Sequence, residues 1–202
     1  DLNELFVEAF WPFTQELAVI VTRGRDGTTA TYPVVATVQH HHVCHSVQAP
    51  APIAPELAAR ATEIALRAVT AVGAVGSFGV ELFLSATGEI AVNELAPRVH
   101  NSGHYTIEAC ACSQFENHVR AVLGWPLGST RLLAPAAVML NLLGPHRAPG
   151  RPLGLARALA ERGVAEDEPG VGHVEVALGA DDGELAHALG LLVVVELRDD
   201  RF

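Results

Sequence analysis

With 202 residues, half of them hydrophobic and 18% charged, the chain is long enough for one large domain, or one domain plus a small one, around a sizeable core. Its net charge of −10 speaks against general nucleic-acid binding, which needs a basic surface. No run of about 18 apolar residues occurs, so no segment reads as a membrane-spanning helix.

All 13 basic residues are Arg, in a background rich in Ala, Gly and Val, which fits a coding bias better than a functional signal. The cysteines, Cys44, Cys110 and Cys112, form no CxxC pair. Their odd number argues against a disulfide framework and for a reducing cytosol. The chain opens DLNELFVEAFWPF without Met or a signal-peptide pattern, and reads as starting inside a longer protein.

Leu5 to Phe13 is apolar and aromatic and reads as a short strand or a hinge. Glu16 to Arg23 reads as a strand, Gly24 to Gly27 as a turn with an Asp-Gly hairpin signal, and Thr28 to Val38 as the returning strand. Pro33 places that strand near an edge or a bulge. His40-His41-His42 reads as a polar hairpin loop. As metal ligands, only His40 and His42 would share a face, because strand neighbours alternate.

Pro55 to Val72 reads as a helix, with Pro55 in the first turn and an apolar face of Leu57, Ala61, Ile64, Ala65, Ala68 and Val72. Gly73 and Gly76 end it. Within Val80 to Ala109, two apolar runs of strand character join in a hairpin at Ala86-Thr87-Gly88-Glu89, with Glu81 on one arm and Glu94 on the other.

Thr106 to Leu123 reads as one helix stopped by Gly124, and Ala136 to Leu143 as a strand. The Pro/Gly/Arg-rich stretch HRAPGRPLG reads as a loop. Beyond it, Leu153 to Arg162 reads as a helix, Gly172 to Leu178 as a strand, Asp182 to Leu189 as a short helix, and Leu191 to Leu197 as a last strand. The order predicts an α+β fold, an antiparallel sheet covered by helices on one face, with residues 1–134 followed by a small domain over 135–202. There is no GxGxxG and no P-loop pattern.

Carboxylates inside apolar strands need a reason, because an unpaired buried charge is costly. The hairpin puts Glu81 and Glu94 at similar heights on neighbouring strands, and two hard oxygen donors there suit Mg²⁺. Asn93 is expected on the other face unless the strand ends there. The alternative is that both carboxylates are rim residues paired with Arg98 or Arg23. The next loop crowds Arg98, His100, Asn101, Ser102 and His104 beside them, with Gly103 allowing tight backbone. Arg binds phosphate bidentately, so a metal-nucleotide beside an anion-binding loop is the physical reading.

NELAPRVHNSGHYTIEACACSQFENHVRAVLGWPLG, FVEAFWPFTQELAVIVTRGRDGTTATYPVV and GSFGVELFL closely resemble the ATP-grasp N5-carboxyaminoimidazole ribonucleotide synthetases of purine biosynthesis. The resemblance spans roughly Leu5 to Leu143, and the RxHNSGH loop followed by SQFENHxRA is distinctive. It implies that Glu8, Ala9, Phe10 and Trp11 form the hinge that meets adenine, and that Glu16, Gln39, Asn93 and Glu94 line the nucleotide. It also implies that Glu81 and Glu94 hold the metal. Arg98, His100, Asn101 and Ser102 would face the aminoimidazole ribonucleotide and bicarbonate, with Arg98, His100 and His104 in catalytic roles. The implied cofactors are ATP and Mg²⁺, the partners small molecules and a second copy in a homodimer, and the compartment the cytoplasm.

The reaction implied is attack of bicarbonate on the γ-phosphoryl of ATP to give carboxyphosphate, then transfer of the carboxyl to the 5-amino group of the ribonucleotide. The resemblance also implies an N-terminal domain and a first ATP-grasp lobe with phosphate-contacting lysines, which these residues lack. The 202 residues alone are therefore expected not to catalyse. Near the end, Pro169, Gly170, Gly172, His173 and Val174 keep the family's frame. Glu166-Asp167-Glu168 precede them, however, and the usual basic pair is missing. Arg147 or Arg151 would then hold the substrate phosphate, or the acceptor differs. Two alternatives stay open: an ATP-grasp relative with another acceptor, and a non-catalytic assembly module using Thr106 to Leu123 as an interface.

Overall fold

The computed structural model describes residues 8–40, 43–142, 174–175 and 189–193. Strand β1 (Gln15–Arg23) runs through the middle of its sheet and explains the apolar run LAVIV. Successive strand residues face opposite sides, and both sides of β1 are covered. Leu17, Val19 and Val21 pack into one hydrophobic cluster, whereas Ala18 and Ile20 pack into another.

The first cluster is closed by helix α1 (Pro55–Val72), whose Ala61, Ala65 and Val69 are fully buried. The helix has the predicted bounds, with Pro55 at its start and Gly73 ending it at φ 70°, a left-handed conformation that glycine adopts without steric cost. Its buried face is rotated from the expected one. Val69 lies in the core and Val72 is more than half exposed, because the helix closes on the sheet before its last turn.

The segment expected as one strand over Thr28–Val38 is two, β2 (Thr29–Thr31) and β3 (Val35–His40). Both pair with β1, but the register slips by one residue between Val21↔Thr31 and Ala18↔Val35. Pro33 sits in this bulge, where its missing N–H interrupts no ladder. Strand β4 (Val43–Ala49) returns along β3. His41 and His42 lie outside the described residues, and His40 ends β3.

Strands β5 (Gly76–Leu84) and β6 (Ile90–Ala96) form the expected hairpin, with Ser85 N–H donating to Glu89 O (2.9 Å) across its turn. Strand β7 (Ala137–Leu142) joins β4, and two further strands, β8 (Val174–Glu175) and β9 (Leu189–Val193), extend that edge. The order is β6-β5-β1-β3-β4-β7-β9-β8, with β2 beside β1, and every pairing is antiparallel. The last strand thus begins at Leu189, where a helix end was expected. The Pro/Gly/Arg-rich loop, the helix over Leu153–Arg162 and the Glu166–His173 stretch lie outside the described residues.

Helices cover both faces of the sheet, not one. Opposite α1, the second cluster joins Ala18, Ile20, Val35, Val47 and Met139 to Tyr105 and Ala109 of the 100–110 segment. The single helix expected over Thr106–Leu123 is broken into α2 (Thr106–Ala109) and α3 (Gln114–Leu123). Cys110 leaves the helix to bridge Leu132, and Ser113 then caps α3, its Oγ accepting from Glu116 N–H (3.1 Å). A helix start signal, Ser followed three residues later by Glu, lies inside the run that reads as continuous.

Tyr32 ties α3 to the sheet. Its hydroxyl donates to Cys112 O (2.9 Å) and accepts from Asn117 Nδ2 (2.8 Å), and Asn117 Oδ1 in turn accepts from Gly128 N–H (2.7 Å). This second face, between β5, β1 and β4, is where the polar loop lies.

Candidate active site

Along β5 the even residues Phe78, Val80, Leu82 and Leu84 face α1, so Gly79, Glu81 and Phe83 face the other side. On that side Glu81 stands opposite Ala18 of β1 and opposite Glu94 of β6. Directly paired strand residues have Cβ atoms roughly 5 Å apart, so the two carboxylates reach one ion. Glu16, opposite Phe83 and Thr37, continues the same acidic row.

Asn93 is not on the far face. The β5–β6 register shifts between Glu81 and Leu82, which leaves Asn93 as the extra residue of a bulge. Its side chain turns back to the carboxylates, and Asn93 Nδ2 donates to Glu81 Oε2 (3.3 Å).

Burial raises the Glu81 carboxyl above the usual carboxylate range, and the charges of Glu94 and Glu16 push it further. Burial likewise raises Glu16, opposed by a hydrogen bond from the Gln39 main chain. This places Gln39 beside the row. Cys44 lies near enough to Glu81 and Glu16 that burial and their charges push its thiol up to about 12.

The polar loop crosses this face. His100 is buried, and its ring rests on Gly79, where an added Cβ would meet His100 Cγ and come within 2.6 Å of His100 Cβ. His100 Nδ1 accepts from Ser102 N–H (3.4 Å) and pairs with Ser102 Oγ (2.8 Å). That arrangement assigns the ring proton to Nε2, which lies 3.5 Å from Glu81 Oε1. Asn101 Oδ1 accepts from Asn141 Nδ2 (3.0 Å), which also donates to Cys44 O (2.7 Å).

Arg98 is exposed, donates to its neighbour Val99 O (3.0 Å), and acts on Glu81 through charge without an ion pair. Arg23, the other partner considered for the carboxylates, binds Gly73 O instead (3.0 Å). His104 turns away to the ring of Phe115, 5.7 Å between centroids.

Glu8, Ala9 and Phe10 are exposed and Trp11 is half-buried, in a segment without regular structure. Phe13 anchors its end by stacking on Phe83 at 4.2 Å and 7°. The structure thus gathers Glu16, Gln39, Glu81, Asn93, Glu94, His100, Asn101 and Ser102 on one face. It leaves Glu8, Ala9 and Phe10 on the approach, Arg98 at the rim and His104 beside α3.

Sequence reasoning missed Gly79, Cys44, Gln114 and Asn141. Only Gly79 left a trace, a glycine inside a strand, which signals a close approach. A cavity of about 510 Å³ lies at the other end of β1, against Arg25, Thr28 and Trp125, away from the carboxylates.

The donor set suits a hard divalent cation. Among the described residues no cluster of three or more His, Cys, Asp and Glu side chains could hold a metal ion. Two carboxylates side by side, Glu81 and Glu94, are the hard oxygen donors present, and a cation bound to so few protein ligands would need water or phosphate oxygens to complete its shell.

The ATP-grasp domain model matches residues 2–115. The chain belongs to the ATP-grasp family. Among its relatives, the N5-carboxyaminoimidazole ribonucleotide synthase of Synechococcus elongatus is 44% identical over 204 residues, covering 95% of this chain and 51% of the relative. The chloroplastic phosphoribosylaminoimidazole carboxylase of Vigna aconitifolia is 51% identical over 140 residues, covering 69% of this chain and 25% of the relative. The Aspergillus clavatus N5-carboxyaminoimidazole synthase, solved with ADP and 5-aminoimidazole ribonucleotide, superposes with a TM-score of 0.76 at 35% identity. That match covers 93% of this ATP-grasp chain and 48% of the Aspergillus one. The chain spans about half the length of two of these relatives and a quarter of the third.

Proposed function

We propose that the full-length protein carrying these residues carboxylates 5-aminoimidazole ribonucleotide at its 5-amino group, using ATP and bicarbonate, in purine biosynthesis. The observation that carries this reading is the pair Glu81–Glu94 with His100 held against it by an RxHNSGH loop. The chain also aligns over most of its length with the Aspergillus protein solved with ADP and this ribonucleotide.

In this reading the backbone of Glu8 to Trp11 meets adenine, and Glu16 and Gln39 line the nucleotide beyond it. Mg²⁺ is held by Glu81 and Glu94, beside Asn93. When bound, it offsets charge on the phosphoryl oxygens during transfer. Bicarbonate attacks the γ-phosphorus, the bond to the bridging oxygen breaks, and ADP leaves as carboxyphosphate forms. The ribonucleotide amine then takes the carboxyl and phosphate departs. Arg98, exposed at the rim, holds the anion. His100, with Nε2–H toward Glu81, orients the loop's donors toward the same place, and Asn101 and Ser102 complete the substrate side. His104, packed on Phe115, acts in the same loop at the level of position.

ADP formation by the full-length protein tests this: turnover must need both bicarbonate and the ribonucleotide, and ADP release indifferent to both would sink it. A second reading, another acceptor on the same ATP-grasp site, is favoured by Glu166-Asp167-Glu168 standing where a basic pair would hold a substrate phosphate. Bicarbonate-dependent ADP release with no response to the ribonucleotide would favour that second reading. The first reading also carries a homodimer, supported by Val119, Val122 and Leu123 left exposed on α3, with sedimentation as its check. A boundary near residue 134 is tested by limited proteolysis. Three free cysteines support a reducing compartment, the cytoplasm, with cell fractionation as the check.

A further inference from the structure

Gln114, the first residue of α3, is fully buried and uses every polar group it has. Its side chain addresses a single residue across the fold. Gln114 Oε1 accepts from His100 N–H (3.0 Å), and Gln114 Nε2 donates to His100 O (2.7 Å). Its main chain is held as firmly: Gln114 N–H donates to Thr106 Oγ1 (2.9 Å), and Gln114 O accepts from Ser77 Oγ (3.0 Å). Thr106 Oγ1 in turn donates to Gly103 O (2.6 Å).

The carboxamide carries one acceptor and one donor group in a plane, which matches the N–H and C=O of one peptide residue. Glu offers no donor when ionised, and Asn is one methylene shorter. Gly103 gives the amide its room, since an added Cβ there would lie 2.6 Å from Gln114 Oε1. The main chain of His100 is therefore gripped from α3 while its ring lies on Gly79 of β5 and reaches Glu81.

We propose that Gln114 is the positioning residue for His100, holding the loop's main chain so that the imidazole stands between Gly79 and Glu81. The catalytic weight of this position rests on the carboxylase reading above, but the clamp itself does not. Removing the amide takes the partner from the buried His100 N–H and leaves His100 O with Gly103 N–H (3.0 Å), a cost that the loop escapes by shifting. A shift of about 1 Å at a reacting site costs up to about a hundredfold in rate.

The test is Gln114→Met in the full-length protein, a change close in size that removes both hydrogen bonds. Two readouts are taken: the ¹⁵N signals of the His100 ring, identified by their loss in His100→Gln, and steady-state kinetics. The proposal expects the Nδ1-acceptor, Nε2–H pattern of His100 to be lost, and turnover to fall by about a hundredfold with KM for ATP held. A folded Gln114→Met protein with unchanged His100 signals overturns it. Should that variant fail to fold, Thr106→Val removes the anchor of the Gln114 main chain while keeping shape. It must move the same signals in the same direction, and unmoved signals overturn the proposal too. A wild-type protein without ribonucleotide-dependent turnover sinks the carboxylase reading and leaves the ring signals to decide the clamp.

Discussion

Glu81 faces Glu94 directly across the β5–β6 ladder, one residue from the bulge that turns Asn93 back beside them. Two carboxylates on one spot repel, and that repulsion has consequences for binding and stability. Glu94→Gln is expected to weaken Mg-nucleotide binding by at least about tenfold, the scale known for groups one step further from a metal. Isothermal titration with Mg-ATP measures it. Unchanged affinity would favour the assembly-module alternative over either ligase reading.

Glu81 also gives the fold a pH dependence. Burial, helped by neighbouring charges, raises Glu81 above its unfolded value, so the folded state holds that proton more tightly. The contribution to stability is complete below the ordinary carboxylate pKa and is lost as pH rises through the raised one. Glu81→Gln should therefore raise the melting temperature at neutral pH in the absence of nucleotide and flatten its fall from about pH 4 upward. Asp26 and Glu116 are lowered and act in the opposite sense, so the informative quantity is the difference between wild type and variant.

Gly79 is required where the His100 ring crosses β5. Gly79→Ala puts a methyl group into that ring, and overpacking of this kind costs about 1–3 kcal/mol. Urea unfolding should register the loss, and ADP formation should fall as His100 is displaced.

Cys44 should be a slow thiol. Its pKa near 12 leaves little thiolate at neutral pH, so alkylation by iodoacetamide in the folded protein should lag far behind that in urea. Part of this comes from the charge of Glu81, so Glu81→Gln should speed the reaction, as followed by mass spectrometry.

The break before α3 rests on one cap. Ser113→Ala is expected to cost about 1 kcal/mol, read as a melting temperature lower by a few degrees.

Much of this protein follows from local pattern alone. The bounds of α1, the β5–β6 turn and the opposition of Glu81 and Glu94 come from helical spacing, a turn signal and counting back along two arms, none of which needs a distant partner. The RxHNSGH loop was recognisable because its polar residues are contiguous. Pairing and packing decided the rest. Whether Asn93 faces the carboxylates depends on a register shift against β5, and a strand read alone alternates without knowing its partner. The run from Thr106 to Leu123 keeps helical composition throughout, but Cys110 finds a bridge to Leu132 that outweighs one more helical turn. Helices were expected on one face of the sheet, but β1 is covered on both because α1 and the Tyr105 segment pack against its two sides. Gln114 and Asn141 reach His100 and Asn101 across 14 and 40 residues of chain. Contacts of that span leave no periodicity in the sequence, because hydrogen-bond complementarity between remote groups exists only once the chain has folded.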